Sequence, residues 1–138
     1  MFTSGLLPPP ATQTIRFSDC VFSCPEPLTS NTLLGLGGVE SPGLYVVLVY
    51  DARWQPLPYR PLYFGESDQI WSRATPSHEK YDSWKREGGT ATLYRAFHNM
   101  SGSTRLQRQA RESALIAHYN PPCNEKFSFD FTRLFGGK

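Results

Sequence analysis

The 138-residue chain is long enough for one domain with a modest core of its own and too short for a second complete one. It is 39% apolar and 14% aromatic, more than a disordered chain carries, while 12 prolines and 11 glycines call for many turns. A formal net charge of +2 and a pI near 8.5 permit contact with a polyanion and exclude a histone-like or tail-type binder.

No apolar stretch reaches the roughly 20 residues of a membrane span, and the start lacks the regions of a signal peptide. The expectation is a soluble, cytoplasmic protein with no membrane partner. Cys20, Cys24 and Cys123 are odd in number and lie in no paired metal-ligand spacing, so they are expected as free or buried thiols.

Residues 1 to 41 form a Pro- and Gly-rich arm. Within it, Ile15 to Phe22 alternates weakly and offers one extra strand, and Cys24 to Pro42 reads as a connector without regular structure. Leu44 to Tyr50 is an unbroken β-forming run, which predicts a strand buried on both faces at the centre of the sheet. Asp51 to Pro58 is a turn, and Tyr59 to Gly65 is a second strand, most simply antiparallel to the first. Pro61 places that second strand at an edge or at a bulge.

Ser67 is positioned to cap a helix from Asp68 to near Pro76, and Ser77 to Trp84 suits another short helix, closed by Gly88 and Gly89. Thr90 to His98 alternates as a third strand. Thr104 begins the strongest helix, which runs to Tyr119 and stops at Pro121 and Pro122; Leu106, Ala110, Ala114 and Ala117 share one face of it, flanked by Leu115 and Ile116. These elements predict an α+β domain with about three antiparallel strands and helices gathered around them.

Gly43-Leu44-Tyr45 and Tyr63-Phe64-Gly65 stand on the first two of these strands. Arg73 follows the second glycine by eight residues on a helix, and residues 112 to 124 read ESALIAHYNPPCN. In type and order this set resembles the GIY-YIG nuclease family, over residues 42 to about 127, with 128 to 138 left as a tail. The resemblance implies a GIY-YIG-like fold and a metal-dependent endonuclease whose partner is DNA, RNA not being excluded. It implies Tyr45 as general base, Tyr63 as its helper, Arg73 on the phosphate and Glu112 holding Mg²⁺ or Mn²⁺. His78 stands close to where many members carry an assisting residue, with Tyr81 competing for that place.

The residue chemistry runs parallel. Hydrolysis of a phosphodiester needs an activated water, charge compensation on the non-bridging oxygens and help for the leaving oxygen. A guanidinium fork matches two phosphate oxygens, and Mg²⁺ takes one or two carboxylates and fills its shell with water and phosphate. The ordinary alternatives are core packing for the tyrosines, a surface salt bridge from Arg73 to Asp68 or Glu66, and an i−4 pair of Glu112 with Arg108.

Arg105, Arg108 and Arg111 recur along the Glu112 helix, and with Lys80 they are candidate substrate contacts. Gly43 and Gly65 are expected to serve backbone geometry, and Asn124 to fix the chain after the helix. A non-catalytic nucleic-acid-binding module of the same fold, and an RNA-directed or toxin-type nuclease, remain as alternatives at this stage.

Overall fold

The structure is a computed structural model and describes residues 13–28, 40–55 and 57–124. Most of the connector and the predicted tail lie outside these residues, as does the start of the arm.

Among the described residues, six strands and three helices follow one another in α+β fashion: β1 (Ile15–Phe17), β2 (Cys20–Phe22), β3 (Glu26–Pro27), β4 (Gly43–Tyr50), β5 (Tyr59–Ser67), α1 (Ile70–Arg73), α2 (Tyr81–Gly88), β6 (Leu93–Asn99) and α3 (Arg105–Tyr119). Four strands form an antiparallel sheet in the order β3-β6-β4-β5. The Val- and Leu-rich β4 is an interior strand of it, beside β6, and is buried from Gly43 through Val49 as its unbroken apolar run requires. In β5 the register slips between Val47 and Leu48, so that Tyr63 faces Val47 and Pro61 faces Leu48. The proline thus sits on an edge strand and beside a bulge, where its missing N–H costs no ladder bond.

The sheet has one strand more than expected, because Glu26 and Pro27, read as irregular connector, pair with Arg95 and Tyr94 of β6. Ile15 to Phe22 does not extend that sheet. It folds into its own hairpin, turning through Ser18 with φ of 54°, and buries Ile15, Phe17, Cys20 and Phe22 against Leu44, Val46, Phe64 and Leu115.

The helices shift against their predicted bounds for local reasons. Ser67 Oγ accepts the Gln69 N–H at 2.9 Å and so holds a turn instead of a helix cap. Helix α1 starts only at Ile70, where its first N–H groups donate to the Ser41 carbonyl and the Glu40 carboxylate. Residues 77 to 80 are likewise a chain of turns, which delays α2 to Tyr81; Gly89, with φ of 63°, closes it.

Helix α3 keeps its predicted start, since Thr104 and Gln107 exchange both bonds of a capping box. Its face is reversed. Leu106, Ala110, Ala114 and Ala117 are exposed, whereas Arg108 and Leu115 are buried, with Glu112 half-buried between them. Short alanines commit a helix face only weakly. Here a buried Arg108 to Glu66 pair at 3.0 Å turns the other side inward.

After α3, Asn120 in the left-handed conformation reverses the chain. The buried Asn124 then accepts the Phe64 N–H and donates to the Phe64 carbonyl, both at 2.9 Å, standing in for a neighbouring strand on the open edge of β5. Asn124→Ala is expected to leave two buried main-chain groups unpaired and to cost about 2–4 kcal/mol in urea unfolding. A loss below about 0.5 kcal/mol would mean that water replaces the amide.

All three cysteines are free, Cys20 and Cys123 buried and Cys24 exposed. Among the described residues, no helix is long and apolar enough to cross a membrane.

Candidate active site

Strand alternation puts the two tyrosines on one face. Tyr45 stands opposite Gly65 and Val47 opposite Tyr63, so Tyr45 and Tyr63 are diagonal neighbours across the ladder, with ring centroids 6.1 Å apart. Gly65 is what admits the Tyr45 ring: a Cβ there would lie against its Cζ and Oη. Gly43 serves the other neighbour, since a Cβ there would run into the His98 carbonyl of β6.

Helix α1 and the turns after it bring Arg73 and His78 onto this face. His78 Nε2 lies 2.9 Å from Tyr45 Oη, and the imidazole packs against Tyr63 and Trp84. The Lys80 amide donates to His78 Nδ1 at 2.9 Å, so in the neutral ring Nε2 carries the hydrogen and donates to the Tyr45 oxygen. Burial, then the Arg73 charge, holds His78 down to about 4, so the ring is neutral near pH 7. Arg73 Nη2 is 3.2 Å from the same nitrogen; both atoms bear hydrogens, so this is proximity of charge and not a donor-acceptor pair. His78 therefore supports a negative Tyr45 oxygen and cannot take the Tyr45 proton.

Both phenols are pushed up, Tyr45 by burial and then by Tyr63, with Arg73 working against them. Tyr63, partly buried, is raised to about 12 by burial and then by the Glu112 carboxylate. Helix α3 packs on the opposite face of the sheet, chiefly against β5, and the Glu112 carboxylate accepts the Glu66 backbone N–H of that strand.

Glu112 itself is raised to about 7 by burial and then by Glu66. Arg108, its expected i−4 partner, donates instead to Glu66 Oε1 and to the Ser103 carbonyl, both at 3.0 Å. Among the described residues no cation pairs with Glu112. A half-buried carboxylate that accepts the Glu66 N–H but has no cation beside it among the described residues fits one divalent ion. Among the described residues no three His, Cys, Asp or Glu side chains gather as a metal site, so such an ion would complete its shell with water and phosphate oxygens, as Mg²⁺ and Mn²⁺ accept.

The arginine row of α3 does not serve as a phosphate track as a whole. Arg108 is buried and spent on Glu66, and Arg111 turns to Asp19 of the hairpin at 3.3 Å. Arg105 stays exposed, 3.9 Å from Glu66. Lys80, joined to the site through its amide, has Lys85 and Arg86 exposed after it on α2. Tyr81 packs edge-on against Trp84, and no contact of its ring with Tyr45 is present among the described residues; of the two, His78 reaches the Tyr45 oxygen. A groove of about 780 Å³ between α3, residues 98 to 103 and Asp19 contains neither phenol.

One residue escaped the sequence reading. Arg95 is buried in β6 and donates to Glu26 at 2.9 Å and to the Ala74 carbonyl at 2.8 Å, pinning the backbone immediately after Arg73. Its signal was an arginine in phase with the inward Leu93 and Phe97. The surface salt bridge of Arg73 with Asp68 or Glu66 is absent among the described residues; Arg73 pairs with Glu79.

Comparison with known proteins finds no matching family model, no matching curated protein and no matching solved structure.

Proposed function

We propose that the chain is a metal-dependent nuclease of the GIY-YIG type that hydrolyses phosphodiester bonds in DNA. The observation that carries this reading is the convergence of Tyr45, Tyr63, Arg73 and His78 on one sheet face, with Glu112 on the Glu66 N–H of β5 and no cation paired to it among the described residues. Core packing accounts for neither the His78 bond to Tyr45 nor a half-buried carboxylate set beside a second one.

In this mechanism Arg73 binds the non-bridging oxygens of the scissile phosphate. Tyr45, a protonated phenol at neutral pH because burial raises it, first gives its proton to solvent, the phenolate being supported by the His78 N–H and the Arg73 charge; it then accepts the proton of the attacking water, which Tyr63 orients, while the departing oxygen takes a proton from solvent. Glu112 would hold Mg²⁺ or Mn²⁺, which supplies Lewis-acid stabilisation of the developing charge. Lys80, Lys85 and Arg86 give the flanking backbone its contacts.

The test is an assay of supercoiled plasmid, linear duplex, single strand, branched DNA and RNA across a metal series. Nicking of DNA with Mg²⁺ or Mn²⁺, reduced at least about a hundredfold in Arg73→Ala, is the expected result. Salt-dependent binding without cleavage under any metal would make the chain a binding module, and cleavage of RNA alone would replace DNA as the substrate.

A further inference from the structure

Arg73, the residue assigned to the phosphate, is already engaged. Nη1 donates to Glu79 Oε1 at 3.1 Å and Nη2 to Glu79 Oε2 at 2.9 Å. Two parallel N–H groups on two oxygens of one anion is the geometry with which a guanidinium grips a phosphate. We propose that Glu79 is the internal counterion of a phosphate subsite on Arg73, and that a backbone phosphate of the substrate strand displaces it. The strand's identity rests on the nuclease reading above, whereas the anion subsite rests on the geometry of this pair.

Glu79 is the partner free to leave. Its side chain is 63% exposed, against 38% for Arg73, and an ion pair so exposed contributes little to stability. Its other ionisable neighbour is His78 at 3.7 Å, whose ring is neutral near pH 7. The backbone around it is fixed. The Thr75 N–H donates to the Arg73 carbonyl, the His78 N–H to Thr75 and the Tyr81 N–H to His78, while Arg95 holds the Ala74 carbonyl. The carboxylate can therefore rotate into water about its own side-chain bonds, leaving Arg73 and His78 in place.

The consequence is selectivity for a chain of phosphates. A tethered carboxylate competes at high effective concentration, and a single phosphate brings nothing else to offset it. A strand also brings neighbouring phosphates to Lys80, Lys85 and Arg86, so it displaces Glu79 where inorganic phosphate or a mononucleotide does not.

The experiment follows the Arg73 guanidinium signal by NMR without divalent metal, with Arg73→Lys identifying it, as inorganic phosphate or a short single-stranded DNA is added. In the wild type the DNA is expected to shift the signal at concentrations where phosphate leaves it unmoved. In Glu79→Gln, phosphate should bind at least about tenfold more tightly and the gap between the two ligands should narrow, with Glu79→Ala giving the same trend. Unchanged or weaker phosphate binding in both variants would overturn the proposal and make Glu79 the residue that aims Arg73. The readout needs no cleavage: a phosphate response with no cutting under any metal defeats only the nuclease reading, and cutting with no gain in the variants defeats only the subsite.

Discussion

Glu112→Gln is expected to lose at least about a hundredfold in metal-dependent cleavage while gaining stability in metal-free solution at pH 8. Burial and then Glu66 raise the folded carboxyl to about 7 from the usual 4.5. The folded state therefore binds this proton more tightly than the unfolded chain, so native stability declines as pH climbs from 4.5 to 7, and the full penalty is present above 7. Discounted for the solvent that reaches a half-buried group, it amounts to about 1–2 kcal/mol, and glutamine removes it.

Urea unfolding in chelator at pH 4 and pH 8 checks this. The variant should match the wild type at pH 4 and exceed it at pH 8. Equal destabilisation at both values would make Glu112 a structural partner of the fold and remove the reason for placing an ion beside it. A carboxylate that is dispensable for folding, costly when ionised and required for turnover is the pattern of a residue kept for chemistry.

The parts of this fold legible in the sequence are those decided locally. The buried run Leu44 to Tyr50, the proline that confines β5 to an edge, and the Thr104 and Gln107 capping box each depend on residues close together in the chain. The orientation of α3 was not legible, because it is set by Arg108 reaching Glu66, 42 residues earlier. Seen alone, an arginine belongs on the wet face and three alanines with a leucine belong on the dry one; the partner reverses that. Arg95 hid for the same reason, since its burial depends on Glu26 and on the Ala74 carbonyl, at separations of 69 and 21 residues.

In the candidate site, Tyr45, Tyr63, Arg73, His78 and Glu112 were all named from spacing and family resemblance, and the fold gathers the first four on one face with Glu112 at the edge. What spacing could not give was the division of labour around them. Glu79 on Arg73, the Lys80 amide on His78 and the loss of Arg108 to Glu66 are outcomes of turns and long-range charge pairing, which carry no period in the sequence.

Gly65→Ala provides the second large effect, and it bears on why a glycine follows the second tyrosine motif at all. The added methyl would lie against Cζ and Oη of Tyr45. That ring is 1% exposed and shares its face with His78 and Tyr63, so it has no free space into which to retreat. Overpacking of this kind costs about 1–3 kcal/mol. Displacing the oxygen from its 2.9 Å contact with His78 Nε2 should lower kcat at least about tenfold even in fully folded protein.

Gly43→Ala is the control. Its methyl would strike the His98 carbonyl, a backbone atom, and prise β4 from β6 without touching the Tyr45 oxygen. Measured well below each unfolding midpoint, Gly43→Ala should lose stability with turnover largely kept, and Gly65→Ala should lose turnover out of proportion to stability. Wild-type turnover in folded Gly65→Ala would mean that the position of the Tyr45 ring does not matter to the chemistry, and Tyr45 would then revert to a packing residue of the sheet.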